Sequence, residues 1–170
     1  SLEFDRYMYM NLVRIPMSVW KDKAKFHSYM DLIESKKFPN KELYLNLIQM
    51  ESNIFEGNYK EALEQALAIG AANESTRPYL YREMAYTFII GKFFVDSYSP
   101  SDAEKKDILT LTQKAFELTP SKSTVSYLAA AYARSGDYKK AYETLAILPF
   151  HKEPVLSNAV YSLLNLPRKR

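Results

Sequence analysis

The chain has 170 residues, 47% hydrophobic and 25% charged, which suits one compact domain or a short solenoid and excludes a disordered chain. Its net charge is +3, from 23 basic and 20 acidic residues, so it lacks the strong single-sign surface of a nucleic-acid binder. Cysteine is absent, which removes disulfides, thiolate metal sites and cysteine nucleophiles, and four glycines are too few for a turn-rich β fold.

At the N-terminus, Ser1 to Phe4 (SLEF) read as the remnant of a cloning junction and are set aside. A leader or membrane anchor upstream would leave no trace here, and a cysteine-free chain fits either redox environment. A cytoplasmic setting is slightly favoured, and an extracytoplasmic domain of an anchored protein stays open. No apolar run reaches the roughly 18 residues that a membrane span needs. Residues 5–39 carry apolar side chains at helical spacing, among them Tyr7, Leu12, Trp20, Phe26, Met30 and Ile33. They predict a degenerate helix pair, split at Pro16 and ended by Phe38-Pro39-Asn40.

Next comes IFEGNYKEALEQALAI (residues 54–69), where Gly57-Asn58 interrupts one helical period and Tyr59 opens another. This predicts a helix pair over 43–76. Residues 78–120 form a second pair. Tyr81, Met84, Ala85 and Phe88 mark its first helix, and AFELTP, with Ala115 and Pro120, ends its second. A third pair lies in YLAAAYARSGDYKKAYETL (127–145), within 122–149. There Gly136 suits the left-handed residue that ends a helix, and Asp137 the N-cap of the next. Small Ala129, Ala130, Ala131 and Ala141 let the two helices approach closely, and Pro149 closes the second. Glu153 to Leu166 (EPVLSNAVYSLLNL) has one apolar and one polar face, as a capping helix requires.

The turns at 57 and 136 match residue for residue: glycine, a capping residue, tyrosine, then an alanine five residues after the glycine (Ala62, Ala141). These units resemble the tetratricopeptide repeat, a helix pair recurring about every 34 residues with a Trp/Leu/Gly/Tyr, alanine, aromatic and proline pattern. The glycines stand 79 residues apart (57 to 136), about 11 more than two periods. Tyr81 and Ala115 are also about 11 residues further apart than the pattern expects. Both measures place one insert between the helices of the middle pair, around Lys92 to Asp102 (KFFVDSYSPSD). The resemblance covers residues 43–149 and extends to the flanks. It implies an all-α, right-handed superhelical solenoid of about three hairpins plus a C-terminal capping helix, forming one domain over 5–170. The pentatricopeptide repeat, an RNA-binding relative, is matched only by the last unit.

The family's first helices line a concave groove for peptides or partner helices, so the resemblance implies a non-catalytic interaction scaffold. Its groove positions fall on Tyr79, Arg82, Tyr86 and Ile89 in the middle pair and on Ser123, Ser126, Ala130, Ala133 and Arg134 in the last. In the first pair they fall near Tyr44, Leu47, Glu51 and Ile54. Tyrosine and arginine suit binding hot spots. Tyr79 and Tyr86 fit packing between repeats equally well. Some members clamp a chaperone's C-terminal carboxylate with Lys, Asn and Arg on successive first helices. Arg82 could serve there, but Tyr86 stands where the Asn belongs and Ser126 and Ala130 where the last unit would contribute, so the clamp is not expected. In the insert, Phe93, Phe94 and Tyr98 are too apolar for an idle loop. They either pack internally or form a lip beside the groove.

Little in the sequence carries covalent chemistry. His27 and His151 have no metal-ligand spacing, the four glycines are isolated, and no nucleophile elbow occurs. The basic clusters mostly have acids beside them and read as solvated faces. The expectation is therefore a protein or peptide partner, no cofactor, no metal and no enzymatic activity. Nucleic acid is disfavoured, and membrane association is undetermined. An RNA-binding helical repeat, and a regulatory or structural domain of a larger enzyme or membrane protein, remain as alternatives.

Overall fold

A computed structural model describes residues 22–89 and 99–147. Pro16, the insert residues Phe93, Phe94 and Tyr98, His151, Pro149 and the capping segment 153–166 lie outside the described residues. All regular structure within them is helical: α1 (Lys23–Ser35), α2 (Lys41–Glu56), α3 (Tyr59–Asn73), α4 (Tyr79–Phe88), α5 (Asp102–Leu118), α6 (Lys122–Arg134) and α7 (Tyr138–Leu145). Seven helices among the described residues exceed the six of three hairpins. The additional one is α1, from the segment read as a degenerate N-terminal pair. The chain divides between Ile69 and Gly70 into two compact units.

In the first unit, the Asp22 side chain accepts a hydrogen bond from the Lys25 amide at 3.0 Å and so caps α1. Phe26, Met30 and Ile33, spaced to share one face, bury against Ile48 of α2, with Tyr29, Phe38 and Leu45 packed around them. The break at Phe38-Pro39-Asn40 falls between α1 and α2, and Asn40 takes the left-handed conformation, φ 59°. At the other end of α2, Gly57 (φ +85°) lets the Asn58 amide reach back to the Asn53 carbonyl at 2.8 Å. This is the six-residue closure of a Schellman motif. Across that turn, Asn53 Nδ2 donates to Gln65 Oε1 at 3.0 Å.

The second unit repeats that turn. Gly136 has φ +83°, and the Asp137 amide donates to the Tyr132 carbonyl at 3.0 Å. Each atom stands 79 positions beyond its counterpart at Asn53 and Asn58. Asp137 caps α7 as expected, its carboxylate accepting from the Lys140 amide at 3.0 Å. Two further starts in this unit, those of α5 and α6, are capped by side chains as well. Ser101 and Glu104 form a reciprocal capping box at α5, and Ser121 and Thr124 form one at α6. α5 thus begins at the end of the segment read as an insert.

Packing in this unit follows chain order, with one addition. α5 packs against α4 and α6, α7 packs against α6, and α4 also touches α6. Phe88, Ile108 and Leu111 are buried large side chains, and Ala129, Ala131, Ala141 and Ala115 are wholly buried. Alanines where helices meet keep the backbones close, so an added methylene has nowhere to go. One contact is tighter still. Gly70, near the end of α3, has no Cβ, and the Tyr81 ring of α4 lies where one would be. The Tyr81 hydroxyl donates to Glu74 Oε2 at 3.3 Å, and Lys114 of α5 donates to Glu74 Oε1 at 3.1 Å. A buried ring is thereby tied to a partly exposed ion pair that joins the α3–α4 loop to α5.

Candidate partner-binding face

The site is built on α4 and α6. α4 turns Leu80, Tyr81, Met84, Ala85 and Phe88 inward. That leaves Tyr79, Arg82 and Tyr86, spaced i, i+3 and i+7, along a stripe on another side of the helix. α6 likewise buries Val125, Leu128 and Ala129, and Ser123, Tyr127 and Arg134 fall on one stripe at i, i+4 and i+11. Because α4 touches α6, the two stripes meet. The Tyr86 and Tyr127 ring centroids lie 6.2 Å apart at 59°. This tilted pair is within the range in which aromatic rings attract one another.

The electrostatics of the pair are asymmetric. Tyr86 remains 53% exposed, whereas Tyr127 is half-buried. Burial raises the Tyr127 phenol above its ordinary value of 10.0, and Tyr86 pushes the same way. A hydrogen bond with the Ser123 side chain and the charge of Arg82 pull it down. Tyr127 is thus a neutral hydroxyl at physiological pH, held by Ser123 and close enough to Arg82 to sense its charge. Arg82 itself is exposed and makes no ion pair among the described residues. Several lysines of this unit differ: Lys105, Lys114, Lys139 and Lys140 each have a carboxylate within reach. α6 carries no acidic residue.

Several groove positions from the sequence meet here, and others do not. Tyr79 is half-buried on α4, and Arg134 is exposed at the end of α6. The Ser126 hydroxyl is turned to its own helix, donating to the Lys122 carbonyl at 2.9 Å. Ile89 and Ala130 are each 1% exposed, and Ala133 is buried too, so these side chains offer little surface to a partner. Tyr44 and Glu51 belong to α2 in the first unit. There Tyr44 stacks on Phe38 at 6.1 Å, and Glu51, Leu47 and Ile54 are buried. Sequence reasoning missed Tyr127. The signal was available: it stands one turn beyond Ser123, which had been placed in the groove, and so shares its stripe.

Among the described residues no group of three or more histidines and carboxylates is arranged to hold a metal ion. No described helix is long and apolar enough to cross a membrane. Comparison with protein-family models, with curated proteins and with solved structures gives no significant match.

Proposed function

We propose that the chain is a non-catalytic interaction module of the tetratricopeptide-like kind, which takes a peptide segment or partner helix on the face formed by α4 and α6. One observation carries this reading. An exposed tyrosine and an exposed arginine without an ion pair on α4 stand beside a half-buried tyrosine on α6. Tyrosine and arginine are the side chains that most often dominate binding energy, because they bury large area while keeping a polar tip. Left to water, an exposed ring and an unpaired guanidinium contribute little to folding.

The solenoid arrangement belongs to the same proposal. It draws on the matched turns at 57 and 136, and on the packing of α4 to α7, in which each helix meets the next and α4 also meets α6. Stacked helical hairpins need both kinds of contact. This face presents hydroxyls, rings and a cation.

The test is selection from a displayed library of random dodecapeptides, using the whole chain as bait. Sequences enriched by the wild type and lost by the Tyr86→Ala/Tyr127→Ala double variant, with little change in melting temperature, support the reading. Enriched sequences that bind both proteins equally well place the binding surface elsewhere.

A further inference from the structure

Resting on that reading, we infer that the α4/α6 face selects acidic peptides, with a carboxylate docked on Arg82 and an apolar side chain two residues away held against Tyr86 and Tyr127. Charge decides the sign of the partner. Arg82 is exposed and has no ion pair among the described residues, and α6 has no acid. The acid of α4 is Glu83, which follows Arg82 directly and therefore points about 100° round the helix. A basic segment would meet repulsion from Arg82, whereas an acidic one replaces water on a guanidinium suited to paired hydrogen bonds.

Spacing decides the motif. Arg82 and Tyr86 are four residues apart on one helix, hence about 6 Å along its axis. In an extended peptide, side chains on the same face recur every second residue, about 6.7 Å apart. A segment laid along α4 therefore sets an Asp or Glu on Arg82 as its second neighbour meets the rings. The tilt of the pair leaves Tyr86 exposed over Tyr127, a shape that takes a flat or branched apolar group. The Tyr127 hydroxyl, held by Ser123, stands nearby as a neutral donor to the peptide backbone.

The experiment uses synthetic dodecapeptides made from the library-enriched sequences, titrated into the whole chain with fluorescence anisotropy as readout. Peptides carrying apolar-x-Glu or Glu-x-apolar should bind. Replacing that Glu by Gln, or Arg82 by Gln, should each weaken binding about tenfold, and both together little more than either. Arg82→Glu should recover binding to the Glu-to-Lys peptide. If enriched peptides depend on Tyr86 and Tyr127 but ignore Arg82→Gln, the acidic preference is wrong and the groove reading survives. If no peptide is enriched, both fall. Displacement of bound peptide by uncharged polar RNA mimics as readily as by acidic peptide would also overturn the inference.

Discussion

Replacing Gly70 by alanine sets two known effects against each other. Gly70 lies within α3, where alanine is favoured over glycine by about 1 kcal/mol. Against that, the added methyl would overlap the Cε1 and Cζ atoms of Tyr81. That ring cannot easily step aside. It is 3% exposed, and its hydroxyl is bound to Glu74, which Lys114 also holds. Overpacking a fixed site of this kind costs about 1–3 kcal/mol. The net effect is a destabilisation of about 1 kcal/mol, or a fall in Tm of about 3 °C for a chain of this size. Thermal and urea unfolding followed by circular dichroism measure it. The decisive control is the same substitution in a Tyr81→Leu background, which lacks the two overlapping ring atoms. There Gly70→Ala should raise stability, so the effect changes sign between backgrounds. If Gly70→Ala stabilises both backgrounds alike, the contact does not constrain the fold as described.

Other outcomes follow from the same structure. Gly57→Ala and Gly136→Ala should each cost about 1 kcal/mol by denaturant unfolding, since both glycines have positive φ and open space around them, leaving only backbone strain. The Tyr81 phenol is held above 10.0, first by burial and then by Glu74, and Lys114 is held above 10.5, first by its hydrogen bond to Glu74. Raised values in the folded state stabilise fully below the unfolded values and are lost as pH rises through the folded ones. Tm should therefore fall as the pH passes about 10, and less steeply in Tyr81→Phe. Asp137 is held below its ordinary 3.8, chiefly by the Lys140 amide. Its contribution is present above that value and is lost as pH falls further, a loss that Asp137→Asn should not show in an acid Tm series.

Local features were legible in the sequence because their causes are local. Gly57, Gly136 and Asp137 announce a left-handed closure and a cap through residue chemistry alone, and all three do what that chemistry implies. Small Ala129, Ala131 and Ala141 marked where helices meet, and each is fully buried. The break after α1 was equally plain from Phe38-Pro39-Asn40. The candidate face was only half legible. Positional transfer from a repeat pattern tells which side of a helix a residue occupies, but not how far a neighbouring helix covers that side. Ile89 at the end of α4 and Ala130 on α6 are buried for this reason, while Arg82 and Tyr86 on α4 stay in water. The stripe of Tyr127 was readable from Ser123, but its pairing with Tyr86, 41 residues earlier (86 to 127), was not, since it depends on how α4 meets α6. The Gly70–Tyr81 contact was hidden likewise, since a helix-interior glycine carries no sequence mark of what lies over it.

The most direct test of the account compares two tyrosines of the second unit that are equally exposed. Tyr86 and Tyr138 are both 53% exposed, but Tyr86 lies on the α4/α6 face and Tyr138 opens α7. Each is replaced in turn by photoreactive benzoylphenylalanine, and the protein is irradiated with a library-selected peptide. The account predicts a covalent peptide adduct at 86 and none at 138. Labelling at 138, or equally at both positions, would contradict it.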